Sequence, residues 1–265
     1  MSDANFSRQP GRPKRSLGQN FLNDPNIARK IVAALSIKPG DIVVEIGPGR
    51  GALTEFLLSS PAHLVIGVEK DAGLARMLKA RWPALAVVNA DALHFPWERL
   101  DRLKNIRVAG NLPYNVASPI MWEFASRSSL FGRAVFMVQR EVAERITAGP
   151  RTKEYGGLTV WLQNFVVTEK LFSVGPAVFH PKPKVDSAVL AFTPKSARPK
   201  DPGGLALLVR RLFGMRRKQL GRILRSDASV AAKNYLESEG LSLLSRPEEL
   251  SPSQFRILSK YIKNK

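Results

Sequence analysis

Between residues 41 and 147, short apolar runs alternate with segments of helical periodicity, and this alternation restricts the fold more than any other feature of the chain. The runs at 42–46, 64–68, 85–88, 106–109 and 134–138 are too short for helices, whereas 51–59, 71–81, 117–127 and 140–147 carry a helical pattern. Strand followed by helix, repeated in this way, predicts a parallel, doubly wound α/β sheet. Asp24-Pro25 reads as a helix cap with a first-turn proline, and Ile27, Ile31, Val32 and Leu35 then recur at helical spacing, so a helix leads into the sheet. Two later runs, 165–172 and 185–192, are separated by Gly175, Pro176, Pro181 and Pro183. They are expected to form a terminal antiparallel pair, bringing the strand number to seven.

After Pro194 the composition changes. Residues 195–225 contain ten Lys or Arg against the single acid Asp201, and helical periodicity replaces strands. Ser251-Pro252 opens a last helix, so a helical domain is expected over 199–265, an α/β domain over 14–198, and a disordered basic tail over 1–13. Arg8, Arg12, Lys14 and Arg15 at that end are candidates for phosphate contact. The chain as a whole holds 41 Lys and Arg against 22 Asp and Glu, a net charge of +19. Such an excess points to a polyanion, and with no basic amphipathic anchor in view the polyanion is a nucleic acid. Arg216, Arg217, Lys218, Arg222 and Arg225 supply charge without interleaved aromatics, which suits phosphates better than base edges.

Other chemistries are excluded early. The absence of cysteine removes disulfides, thiolate nucleophiles and Cys-type zinc sites, and His63, His94 and His180 have no metal-ligand spacing, so no metal is expected. No apolar run approaches the roughly 18 residues of a membrane span. A cytosolic protein, acting as a monomer, is the expectation.

Candidate site residues sit at the ends of the expected strands. The first strand runs into Glu45-Ile46-Gly47-Pro48-Gly49-Arg50-Gly51, where glycines such as Gly47 and Gly49 let the backbone approach a ligand at the carboxyl edge of the sheet. Glu69 ends the second strand, where a carboxylate can accept two ribose hydroxyls, and Asp91 ends the third, where one can accept an adenine amino group. These positions trace a nucleoside but do not distinguish a nicotinamide cofactor from S-adenosylmethionine. The fourth strand ends in Asn111-Leu112-Pro113-Tyr114. There the Asn111 side-chain oxygen and the Leu112 carbonyl can accept the two hydrogens of an exocyclic adenine amine, drawing its lone pair out of the ring. Pro113 stiffens the turn, and Tyr114 offers a face for the base. A dehydrogenase reading leaves this tetrapeptide unexplained.

Several segments in order, 14–22 (KRSLGQNFL), 45–51 (EIGPGRG), 111–114 (NLPY), 139–145 (QREVAER), 155–158 (YGGL), 179–187 (FHPKPKVDS) and 246–251 (RPEELS), resemble the small-subunit ribosomal RNA adenine N6,N6-dimethyltransferases. The resemblance implies a Rossmann-like seven-stranded S-adenosylmethionine-dependent methyltransferase domain with a small C-terminal all-helical domain. It implies cofactor contacts from Asn20 and Leu22, joining Gly47, Gly49, Glu69, Asp91 and Asn111. It also implies that Phe179 forms a second face for the base opposite Tyr114, a placement that the backbone restriction from Pro181 and Pro183 favours. The implied reaction is double methylation of two adjacent adenosines in a hairpin loop near the 3′ end of small-subunit RNA, with the small ribosomal particle as partner. Alternatives of the same fold are a large-subunit enzyme of the antibiotic-resistance type, a DNA adenine methyltransferase, whose tetrapeptide usually has Pro at the Leu112 position, and a non-enzymatic nucleic-acid-binding relative. Residues 139–145 are read as a solvated helix, and Tyr155-Gly156-Gly157 as either a gate over the pocket or a loop before the next helix.

Overall fold

A computed structural model describes residues 18–262 of the chain, so the expected tail over 1–13 and the cations up to Arg15 lie outside the described residues. The chain separates into two compact units. One comprises the residues up to Ala143 together with Glu169–Pro194, and the other Glu144–Thr168 together with the residues from Lys195 onward.

The first unit is built on a seven-stranded sheet. Its strands in chain order are β2 (Ile42–Ile46), β3 (Leu64–Glu69), β4 (Ala86–Asn89), β5 (Ile106–Asn111), β6 (Phe131–Gln139), β7 (Val166–Val174) and β9 (Ser187–Pro194), arranged β4-β3-β2-β5-β6-β9-β7. The first five pair in parallel, and β9 runs antiparallel to β6 with Gln139 opposite Ser187. All five residues of β2 are buried, as a strand covered on both faces requires. A separate two-stranded ribbon joins β1 (Phe21–Leu22) antiparallel to β8 (Phe179–His180).

Each crossover helix has a local reason to start where it does. The Asp24 carboxylate accepts the amides of Asn26 and Ile27 and caps α1 (Pro25–Ala34). Asp71 does the same for α3 (Ala72–Arg81) through Gly73 and Leu74. The short α2 (Thr54–Leu58) follows the glycine turn. In α4 (Ala117–Ser126), Phe124 stacks on Phe131 at 4.2 Å and meets Phe136 edge-on at 5.0 Å, which fixes the helix against β6. The return from β6 is α5 (Arg140–Thr147).

The second unit contains α6 (Gly157–Phe165), α7 (Pro202–Gly214), α8 (Leu220–Leu224), α9 (Val230–Ser238) and α10 (Pro252–Leu258). Asn164 on α6 donates to the Pro252 carbonyl, and Phe213 stacks on Phe255 with centroids 5.5 Å apart. Helix α6, expected from its position in the chain to belong with the sheet, therefore packs with the C-terminal helices. Tyr155 is fully buried, with its hydroxyl donating to the Leu250 carbonyl at 2.7 Å. It is an anchor of this unit, and residues 155–156 form the loop that leads into α6 rather than a gate.

Candidate active site

The glycine turn works because its backbone occupies conformations closed to other residues. Gly47 and Gly49 have φ of 65° and 61°, and a Cβ on Gly47 would project into open space. Gly51, at φ 85°, has the Trp82 ring where a Cβ would stand, 2.2 Å away. The turn is clamped from β3: the Gly47 amide donates to the Val68 carbonyl, and the Gly49 amide to Glu69 Oε2 at 2.9 Å. Beside it opens a cleft of about 1100 Å³, counting its mouth, lined from the ends of β2, β3, β4 and β5 and from residues 18–22. This position, at the carboxyl ends of parallel strands, is where open α/β sheets bind nucleotides.

Three carboxyl groups face the cleft in different electrostatic states. Glu69 is buried and receives the amides of Gly49 and Asp71; burial raises its pKa, and the amide donors restrain the rise. Asp91 receives the Leu93 amide and stands 2.7 Å from Lys70 Nζ. Burial alone would raise its pKa, but the Lys70 ammonium and the amide outweigh that and hold it below the usual carboxylate range. Glu45 is 1% exposed and bonded by the Thr54 hydroxyl at 2.6 Å; burial pushes its carboxyl up to about 8. Among the described residues no group of acids and histidines is arranged to hold a metal.

The tetrapeptide ends β5 on the same cleft. Asn111 Nδ2 donates to the Asn20 carbonyl at 3.0 Å, which turns the side-chain oxygen the other way and leaves it as an acceptor. Leu112 is 1% exposed, and its amide donates to the Met137 carbonyl, locking the turn to β6. The Tyr114 hydroxyl lies 2.7 Å from Ser187 Oγ, and burial raises its pKa. Pro113 and Tyr114 both line the cleft, as do Asn20, Leu22, Gly47, Gly49, Glu69 and Asp91. The residue and backbone types fit a nucleoside-bearing sulfonium: a glycine cradle, a fixed carboxylate beneath it and a second carboxylate one strand further.

Phe179 departs from expectation. Its backbone pairs with Leu22, its side chain is 4% exposed within the core that includes Leu22, Ile31 and Val174, and it does not line the cleft. Strand pairing directs the ring inward, so Phe179 itself presents no exposed face to the cleft. Arg216 also differs from the expectation of a phosphate contact. Its guanidinium donates to the carbonyls of Thr152 and Lys153 and lies 3.6 Å from Glu248, so it is committed to a turn of its own unit. Arg217, Lys218, Arg222 and Arg225 are exposed.

Other participants were not legible in advance. Phe21, 7% exposed, stacks beneath the Arg50 guanidinium, 4.7 Å from the ring centroid, and closes the cleft beside Gly49. Lys70 carries no motif of its own, and Ser187 enters only as the last residue of the 179–187 segment with no role attached; their positions, one beyond a strand-end acid and one at the start of a strand, hint at a role.

Sheet order, glycine turn, strand-end acids and tetrapeptide together define the Rossmann-like S-adenosylmethionine-dependent methyltransferases. The family model for ribosomal RNA adenine dimethylase matches residues 11–264, and the chain belongs to that family. It is 53% identical, over 96% of its length and 97% of the relative's, to a ribosomal RNA small subunit methyltransferase A of Maridesulfovibrio salexigens. A protein of the same name from Chlorobaculum parvum is 43% identical over 90% of both chains. Among solved structures, a dimethyladenosine transferase from Plasmodium falciparum is similar, with a TM-score of 0.74 and 29% identity over 90% of this chain and 95% of that one. The 23S rRNA methyltransferase ErmE follows with a TM-score of 0.67 and 25% identity over 91% and 99%.

Proposed function

We propose that this chain transfers methyl groups from S-adenosylmethionine to N6 of two adjacent adenosines in a hairpin loop near the 3′ end of small-subunit ribosomal RNA, giving N6,N6-dimethyladenosine during ribosome biogenesis. The observation that carries the reading is the Asn111–Asn20 bond, which presets an acceptor oxygen at the end of β5. S-adenosylmethionine, when bound, supplies an electrophilic methyl group on sulfur. On this reading Glu69 accepts the ribose hydroxyls, Asp91 accepts the adenine amine, Gly47 and Gly49 admit the ligand backbone, and Asn20 and Leu22 close the cleft from the N-terminal side. Asn111 Oδ1 and the Leu112 carbonyl accept the hydrogens of the target amine, so its lone pair is directed into the cleft, and Tyr114 supports the base. Holding the reactants in this way is worth up to about 7–11 kcal/mol in well-oriented systems.

The small-subunit assignment, rather than the large-subunit one that ErmE represents, is supported by the names and identities of the sequence relatives. The test is methylation in vitro of small-subunit particles from cells that lack the modification, with the modified nucleotides mapped by mass spectrometry. Two adjacent dimethyladenosines are expected. Label on large-subunit RNA alone would favour the other substrate. Asn111→Ala is expected to lower single-turnover methylation by about 10²–10³, the usual loss for one preorganised hydrogen-bonding group; a parental rate in the folded variant would remove the role assigned to that side chain.

A further inference from the structure

The segment between β8 and β9, Pro181-Lys182-Pro183-Lys184-Val185-Asp186, is tethered to the cleft at both ends. Before it, His180 pairs with Phe21, which lines the cleft. After it, Ser187 holds the hydroxyl of Tyr114, which also lines the cleft. A chain advances at most about 3.6 Å per residue, so Lys182 lies within about 7 Å of the first tether and Lys184 within about 11 Å of the second. Both lysines are therefore held near the cleft without lining it.

The charge of this segment is unspent. Its one acid, Asp186, is taken by Arg140, whose Nη1 lies 3.0 Å from Oδ2 and whose amide donates to the Asp186 carbonyl. Lys182 and Lys184 are exposed, and neither has an ion pair or hydrogen bond among the described residues. Pro181 and Pro183 restrict the backbone, so less freedom remains to be lost when a ligand is bound. Two ammonium groups on a stiff, tethered segment suit the sugar-phosphate backbone of a nucleic acid better than a base, since phosphate contacts position a strand without reading it.

We propose that Lys182 and Lys184 grip the RNA phosphates flanking the adenosine presented to the cleft, making the proline-rich segment an RNA contact distinct from the C-terminal basic block. This rests on the functional reading above. An extruded adenosine forfeits a few kcal/mol of stacking, and phosphates held beside the opening help to keep the strand in place while the base is out.

The experiment compares the full-length parent, K182Q/K184Q, K182R/K184R and a charge-matched control, K79Q/K104Q. Lys79 closes α3 and Lys104 precedes β5, so both exposed control positions lie toward the amino edge of the sheet, opposite the cleft. Steady-state methylation and particle binding across salt are measured on unmodified small-subunit particles, and S-adenosylmethionine affinity by calorimetry. Each phosphate contact adds about 0.7–0.9 to the salt slope, so K182Q/K184Q is expected to lower that slope by about 1.5 and to raise KM for the particle most at low salt. Its kcat and cofactor affinity stay within twofold, and K182R/K184R and K79Q/K104Q behave as the parent. A parental KM and slope for K182Q/K184Q, or an equal loss in the control, overturns the proposal. Failure of the parent itself to methylate the particles is a separate result, which overturns the functional reading before any variant is compared.

Discussion

Glu45 holds a proton near neutral pH in the folded chain, because burial pushes its carboxyl from an ordinary 4.5 up to about 8 despite the bond from Thr54. A carboxyl whose folded pKa is raised favours the native state most below its unfolded pKa, and that contribution disappears as pH climbs through the folded value. The parent should therefore lose melting temperature between about pH 4.5 and 8, and Glu45→Gln, which stays neutral, should lose less. A thermal melt series is the check; a gap between the two proteins that does not change with pH would show that Glu45 is ionised throughout. Ser187 is a second residue whose importance is local. It is fully buried and positions Tyr114 through one hydrogen bond, ordinarily worth about 0.5–1.5 kcal/mol. Ser187→Ala should slow turnover about two- to tenfold with cofactor affinity unchanged, and Ser187→Thr should recover part of the rate. Adding Tyr114→Phe to Ser187→Ala should cost little more than Tyr114→Phe alone, because the bond is already gone. Additive losses in kcat would place the effect of Ser187 elsewhere.

Gly110 leaves no room for a side chain between β5 and β2, since a Cβ there would lie 2.7 Å from the Ile46 carbonyl oxygen. Gly110→Ala must push one strand away from the other immediately before Asn111, so it should destabilise the protein by about 1–3 kcal/mol, as overpacking does. The surviving folded fraction should also methylate slowly. Denaturant unfolding and single-turnover assays on the same sample would test both effects. The strands themselves were easy to read, since β2 and β5 are apolar runs bounded by turns, and a parallel sheet buries such runs on both faces. The strand-end acids and the tetrapeptide followed from those strands. Elements without periodicity escaped: β1 and β8 have two residues each, and their pairing links positions far apart in the chain. Residues 157–165 fall within the expected α/β domain of 14–198, and nothing local in them marks α6 as a partner of the C-terminal helices. The inward ring of Phe179 and the carbonyl bonds of Arg216 were not legible, because residue type does not reveal whether a ring is turned inward or a guanidinium is already bonded to carbonyls.

Across the whole molecule, the charge of +19 supplies the cations, and the number of them that meet phosphates sets how strongly binding responds to salt. With Arg216 committed to Thr152 and Lys153, the exposed cations of the C-terminal block are Arg217, Lys218, Arg222 and Arg225. Changing these four to glutamine should reduce the slope of log affinity for the particle against log salt by about 3, while S-adenosylmethionine binding is retained. Filter binding at several ionic strengths will decide; an unaltered slope would remove this block from the RNA interface. The order of the sheet has a consequence for biosynthesis. The strand made last, β9, lies between β6 and β7; the segment before it supplies the partner of β1, and its own first residue, Ser187, is the tether of Tyr114. A nascent polypeptide that has emerged only as far as residue 170 holds the glycine turn, both acids and the tetrapeptide, yet lacks what secures Asn20 and Tyr114 around them. The centre that modifies ribosomes is thus closed from its C-terminal side, and is completed only after most of the chain has left the ribosome that makes it.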